Sequence, residues 1–203
     1  MVTIIDYGLG NLASIQNMIK KIGGNSVISS SAEEINNAQK LILPGVGHFE
    51  KGMENLYNSG LISTLNDLVL QKKIPVLGIC LGMQLMTSIS EEGNVEGLNW
   101  VEADTVKFKI NSPEFKIPHM GWNHVAFKKN EPIAENLYQE ARFYFVHSYY
   151  VRCVRQEEVL GTTVYESPFH SAIIKNNIIG VQFHPEKSHK FGMQLLHNFL
   201  QIK

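Results

Sequence analysis

Pro75-Val76-Leu77-Gly78-Ile79-Cys80-Leu81-Gly82-Met83-Gln84 passes from a short apolar strand into a helix through a cysteine flanked by two glycines. Residues 75–79 have the length and apolar character of a buried strand, which runs straight into a helix predicted over 83–89. Where a strand turns at once into a helix, side chains beside the apex would collide, so glycine on each side is a steric requirement. Gly78-x-Cys80-x-Gly82 therefore reads as a nucleophile elbow with cysteine in the serine position. A helix starting at Cys80 points its unpaired N–H groups and positive dipole end at the sulfur, which favours thiolate over thiol. An isolated cysteine is most often a small core residue. Cys153, the second of the two cysteines, has no such flanks and keeps that reading.

Outward from this turn, short strands alternate with helical stretches. Residues 2–5 form a mostly β-branched run that reads as a buried strand. Leu12, Ile15, Ile19 and Ile22 follow at helical spacing, and Gly23-Gly24 stops that helix. Val27-Ile28 is a short strand, Leu41-Ile42-Leu43 another that ends at Pro44-Gly45, and Leu61, Leu65, Leu68 and Val69 mark a further helix. Such alternation predicts a parallel sheet with helices on both faces. The second half is β-rich over residues 101–110, 143–152 and 159–165, without clear helices between. Residues 172–175 and 178–181 read as a hairpin around Asn176-Asn177, and a final helix carries Phe191, Leu195, Leu196, Phe199 and Leu200. No repeat, low-complexity tract or linker divides the chain. We expect one three-layer α/β domain over residues 1–203, its central sheet mostly parallel, with helices on both faces and antiparallel extensions.

The totals fit. A chain of 203 residues can bury a sizeable core, and 44% hydrophobic with 18% charged residues is a globular composition. A formal net charge of −1 argues against general attraction to nucleic acid. No apolar run approaches the roughly 18 residues of a membrane helix. Met1-Val2-Thr3-Ile4-Ile5-Asp6 lacks the basic start and long apolar stretch of a signal peptide. Two cysteines make no disulfide framework and suit a reducing cytoplasm, where we expect the protein to reside. Neither zinc-type His/Cys spacing nor a Walker phosphate loop is present, so no metal or cofactor is expected.

A second motif, Gln182-Phe183-His184-Pro185-Glu186, supplies what a cysteine nucleophile needs. Proline pushes the residue before it into an extended conformation, where residues i and i+2 point to one side. Glu186 can then accept from the ring N–H of His184, fix its tautomer and stabilise the imidazolium formed when the thiol proton is taken. Alone, His184 reads equally well as a loop histidine with Glu186 and Lys187 as a weak surface pair; beside the Cys80 elbow, catalysis is the stronger reading. The seven other histidines lack this context and read as surface or core residues. Leu43-Pro44-Gly45-Val46-Gly47 offers backbone freedom for oxyanion donors: the Val46 N–H, with the Leu81 N–H that follows the nucleophile. On its own this loop is a plain glycine turn.

Taken in order, these motifs resemble the triad (class I) glutamine amidotransferases, more specifically the glutaminase subunits of imidazole glycerol phosphate synthase. The resemblance covers nearly the whole chain. It also includes Ile5-Asp6-Tyr7-Gly8-x-Gly10-Asn11, Pro118-His119-Met120-Gly121-Trp122-Asn123, Phe145-Val146-His147-Ser148-Tyr149 and Lys187-Ser188. It implies that Cys80 is the nucleophile, His184 the base and Glu186 its orienter. Gly47 and Gln84 would hold the substrate L-glutamine, and Ser148 and Tyr149 its amino-acid end. Val46 would donate to the oxyanion after its peptide reorients. Asn11, Met120, Trp122 and Lys187 would lie at or near the face that docks a (β/α)8 cyclase, into whose barrel the ammonia passes. Lys187-Ser188-His189-Lys190-Phe191-Gly192, with Gly97-Leu98-Asn99-Trp100, is similar to paralogues beside surface-polysaccharide genes, whose partner is a sugar amidotransferase. A free-standing triad hydrolase or peptidase, and a regulatory subunit without catalysis, are the other readings; the intact Cys80, His184 and Glu186 count against the last.

Overall fold

A computed structural model describes residues 1–128, 130–137 and 140–202. Its first half is built from β1 (Val2–Ile5), α1 (Leu12–Lys21), β2 (Ser26–Ser29), α2 (Ala32–Asn36), β3 (Leu41–Leu43), α3 (Phe49–Asn58), α4 (Ile62–Asn66), β4 (Val76–Ile79) and α5 (Leu81–Leu85). Then follow β5 (Ile89–Ser90), β6 (Val95–Glu96), β7 (Ala103–Lys107), β8 (His119–His124), β9 (Ala126–Phe127), β10 (Arg142–His147) and β11 (Tyr149–Cys153). The chain closes with β12 (Val159–Tyr165), β13 (Ser167–Lys175), β14 (Ile178–Val181) and α6 (His189–Gln201).

The order across the main sheet is β2-β1-β3-β4-β14-β13-β11-β7-β5-β6, with β12 on β13 and β9 on β12. The run from β2 to β14 is parallel, and from β13 onward the pairing is mostly antiparallel. β8 and β10 form a separate antiparallel ribbon. Strands β1, β3, β4 and β14 are buried on both faces, which is why they read as nearly continuous apolar runs. Neighbours along a strand enter opposite cores. Ile42 of β3 packs with Ile15 and Ile19 of α1 and Phe199 of α6, whereas Leu41 and Leu43 pack with Phe49 and Leu56 of α3 and Leu65 of α4. This is the expected three-layer arrangement.

One expectation needs correction, and two features went unread. The helix predicted over 83–89 ends at Leu85, and Ile89 lies in β5. Its late carbonyls are taken by the returning loop: the N–H groups of Leu98, Trp100 and Asn99 donate to Leu85, Met86 and Thr87. An apolar run carries no mark of that tertiary cap. The β-rich run 143–152 divides in two: β10 and β11 belong to different sheets, and Ser148 is the break between them. Helix α3, which brings Phe49 and Leu56 to the core, has no counterpart in the sequence reading.

Candidate active site

β4 and β14 lie side by side, Gly78 opposite Gly180 and Ile79 opposite Val181. Cys80 and His184 therefore emerge just beyond the carboxyl ends of two adjacent parallel strands, where open α/β sheets form their crevices. The Cys80 N–H donates to the Val181 carbonyl at 2.8 Å, which ties the two ends together. Cys80 stands at φ +54°, ψ −109°, a conformation a non-glycine residue holds only when its surroundings impose it. The flanking glycines are required by packing. A Cβ on Gly82 would stand 1.8 Å from the Leu43 carbonyl oxygen, and one on Gly78 2.8 Å from the Met83 nitrogen.

The His184–Glu186 contact forms, although not by the route expected. His184 is extended at φ −103°, ψ 96°, but residues Pro185–Lys187 make a 3-10 turn, and that turn brings the carboxylate back under the ring. His184 Nδ1 lies 2.8 Å from Glu186 Oε1, with both side chains at most 2% exposed. Ser188 fixes the turn: its hydroxyl donates to the His184 carbonyl at 2.6 Å and accepts from the Tyr144 N–H at 3.0 Å.

With Nδ1 committed to Glu186, Nε2 is the atom left for chemistry, and it and Glu186 Oε2 are buried with no hydrogen-bond partner among the described residues. The contact between His184 and Cys80 is electrostatic, short of a well-aligned hydrogen bond. Burial works to lower the His184 pKa, but the negative Cys80 sulfur, as charge and as acceptor, and the Glu186 carboxylate outweigh it and raise the pKa to about 10. The arrangement thus favours the protonated ring of His184 beside the sulfur. Gln182, buried at the end of β14, donates from Nε2 to Cys80 Sγ at 3.7 Å. Its Oε1 accepts from Gln84 Nε2 at 3.0 Å, and Gln84 Nε2 also donates to the Tyr149 carbonyl at 3.0 Å.

These groups open on a cleft of ≈ 340 Å³. Val46, Gly47, Cys80, Leu81, Gln84, Ser148, Tyr149 and His184 all line it, so every pocket residue anticipated from the sequence faces one space. Leu81 opens α5, where a backbone N–H has no intrahelical acceptor. Val46 is 40% exposed, Gly47 has φ +114°, and the loop is held from behind by the Tyr7 hydroxyl, which donates to the Pro44 carbonyl at 2.6 Å.

Of the residues assigned to a docking face, Met120 and Trp122 point outward from β8 at 60% and 45% exposure. Trp122 pairs across the ribbon with Tyr144, and Lys187 Nζ lies 5.5 Å from the Tyr144 ring, so the three make one patch. Asn11 caps α1, which packs against the 185–187 turn.

Sequence reasoning missed Glu92, Gln182 and His147. Glu92 lines the cleft, accepts from the Phe49 N–H at 2.8 Å and lies 3.2 Å from His48 Nδ1. Nothing in the Glu91-Glu92 string marks it, because its partners are 43 and 44 residues upstream. Gln182 had a signal, a polar residue closing the apolar run 178–181. Among the described residues no group of His, Cys, Asp or Glu is arranged to hold a metal.

The family model described as "Glutamine amidotransferase class-I" matches residues 3–202. The imidazole glycerol phosphate synthase subunit HisH 2 of Methanococcus maripaludis is 57% identical over 201 residues, 99% of both chains. The identically named protein of Pseudomonas aeruginosa is 46% identical over 202 residues, 100% of both. The chain belongs to the HisH family of class-I glutamine amidotransferases. The fold agrees with that membership. A solved glutamine amidotransferase superposes on this amidotransferase with a TM-score of 0.75 at 16% identity, over 99% of this chain and 98% of the other. The glutaminase domain of the Trypanosoma brucei CTPS, solved with bound acivicin, gives 0.67 at 15% identity, over 100% and 94%.

Proposed function

We propose that residues 1–203 form one cytoplasmic glutaminase domain that hydrolyses L-glutamine to glutamate and ammonia and passes the ammonia to a (β/α)8 cyclase, making imidazole glycerol phosphate for histidine biosynthesis. The observation that carries this reading is a cysteine on a strained turn facing an imidazole whose far nitrogen is tied to a buried carboxylate. The Cys80 sulfur attacks the side-chain amide carbon of glutamine. The N–H groups of Val46 and Leu81 receive the oxyanion. His184, which holds the thiol proton, delivers it to the departing nitrogen, and the C–N bond breaks to leave ammonia and a γ-glutamyl thioester. His184 then takes a proton from water, whose oxygen attacks the thioester carbon and releases glutamate. Glu186 keeps Nδ1 protonated throughout. Gly47 and Gln84 help hold the glutamine, Ser148 and Tyr149 contact its amino-acid end through backbone groups, and the Glu92 carboxylate suits its ammonium group. No step draws on a metal or cofactor.

The patch of Met120, Trp122 and Lys187, with Asn11 beside it, is the docking face. Glutamine turnover measured for the chain alone, with the cyclase, and with the cyclase plus an imidazole precursor tests the reading: the expected order is poor, better, best. Equal rates in all three indicate a free-standing hydrolase. A second reading, the same glutaminase serving a sugar amidotransferase, is favoured by the string at 187–192 and by the number 2 borne by the relatives at 57% and 46% identity. Activation only by an activated-sugar enzyme and its substrate selects it.

A further inference from the structure

Two hydrogen-bonded arms converge on the Tyr149 carbonyl. One is the pocket arm already described, in which Gln84 donates both to that carbonyl and to Gln182, which donates to the Cys80 sulfur. The other comes from the ribbon strand β8. His147 Nδ1 lies 2.7 Å from the Tyr149 carbonyl, His147 Nε2 lies 2.9 Å from His119 Nδ1, and His119 Nε2 lies 3.3 Å from Asn123 Nδ2. A carbonyl can only accept, so Nδ1 of His147 carries the proton and its Nε2 accepts. Nδ1 of His119 must then be the donor, and its Nε2 accepts from the Asn123 amide. Asn123 cannot turn over freely, because its Oδ1 accepts from the His124 N–H at 2.8 Å and its Nδ2 donates to the Val164 carbonyl at 3.0 Å. One tautomer of each ring satisfies the whole arm, with both rings neutral. The rings are 3% and 6% exposed and sit in an aromatic cage: His119 stacks on Phe145 at 4.8 Å and lies 4.1 Å from Tyr165, and Phe108 packs on both histidines. The arm begins on the strand whose other face carries Met120 and Trp122.

We propose that His119 and His147 are positioning residues that hold the Tyr149 wall of the cleft, and through Gln84 and Gln182 the donor to the Cys80 sulfur, in register with the exposed face of β8. The proposal rests on the reading of Cys80 as the glutaminase nucleophile. If His119 no longer donates to His147, Nε2 of His147 loses its donor and only the Tyr149 carbonyl is left to select the tautomer. With the proton on Nε2, the Nδ1 lone pair faces the carbonyl oxygen and pushes the wall away. The Gln84 amide, held by that oxygen, then loses the orientation that turns Gln182 toward the sulfur.

The test compares His119→Phe, which keeps the ring stacking but donates nothing, with His119→Asn, whose amide N–H stands near the Nδ1 position but leaves the stack unfilled. We measure kcat and KM for glutamine, the rate of Cys80 alkylation by iodoacetamide, and the unfolding midpoint. The relay predicts that His119→Phe lowers kcat and Cys80 alkylation by about tenfold, the effect of one buried hydrogen bond, with a smaller change in KM. His119→Asn recovers both to within about threefold of wild type, although it is the less stable of the two, since the aromatic packing is what it lacks. Packing alone predicts the opposite order, with His119→Phe the better enzyme. That order, or wild-type kcat and alkylation in His119→Phe, overturns the proposal. Alkylation of the wild type at Cys153 in preference to Cys80 instead overturns the reading of the site on which the proposal stands.

Discussion

Cys80 holds a backbone conformation that costs folding energy, and nothing in its packing requires sulfur there. Cys80→Ala and Cys80→Ser should therefore still fold, giving up only the stability that the sulfur lends through His184, while glutamine hydrolysis falls by at least about a thousandfold, as the loss of a triad nucleophile does. Residual turnover above about a hundredth of wild type contradicts a covalent role. Glu186→Gln should be damaging but milder than His184→Ala, since the amide can keep part of the ring's geometry while nothing replaces the base. The double variant should lose far less than the product of the single losses, and a double-mutant cycle that shows simple additivity removes the coupling. The strained turn at Cys80 and the contact between His184 and Glu186 were legible in the sequence, because a glycine-flanked turn and an X-Pro-X segment have local consequences. The reason offered for Glu186 was only half right: an extended chain accounts for His184, but the 3-10 turn at Pro185 brings the carboxylate round. Glu92 and the His119–His147 pair were illegible, because a side chain whose meaning lies in a partner dozens of residues away carries no local mark.

At the level of elements, the elbow is a close approach of β3 and α5. A methyl group at Gly82 meets the Leu43 carbonyl, which is backbone and cannot rotate away. Gly82→Ala should destabilise the fold by about 1–3 kcal/mol in urea denaturation, the cost of overpacking, and should lower turnover further by displacing the loop at Pro44-Gly45-Val46. Gly60→Ala is the control: its added Cβ meets nothing within 4 Å, so it reports only the strain of φ +69° and should leave turnover unchanged. The strands around the elbow could be read because parallel strands buried on both faces are short, apolar and punctuated. The end of α5 could not, since the carbonyls there are capped by a loop that returns only at Leu98 to Trp100. The β10/β11 break was hidden for a related reason: a change of sheet within one β-rich run leaves the periodicity almost unaltered.

Across the whole molecule, histidines set two opposed dependences on pH. Burial lowers the pKa of His119 to about 4, and burial with the neighbouring His119 lowers that of His147 to about 3, from an ordinary 6.5. In the window between those values and 6.5 the unfolded chain binds more protons, so stability falls as pH falls, by up to about 1.4 kcal/mol per pH unit for each histidine. His184 acts in the other direction: its raised pKa contributes stability that is complete below 6.5 and is lost as pH rises through about 10. Urea denaturation should place maximal stability between these windows, near neutrality, and His119→Phe should shallow the acid slope between pH 6.5 and 4; an unchanged slope means that His119 is protonated in the native state. The three-layer architecture was readable from strand–helix alternation, but the order of strands was not, since pairing among short apolar strands is decided by the assembled sheet. That order has a consequence in time. β14 is the last strand of the chain, yet it lies in the middle of the sheet, between β4 and β13, and it carries His184 to Cys80. A chain emerging from the ribosome makes Cys80 long before His184, and the two meet only once β14 has been synthesised and has entered the sheet between β4 and β13. On the function proposed above, chains that stop before β14 carry the cysteine without its histidine and leave the cell's glutamine untouched.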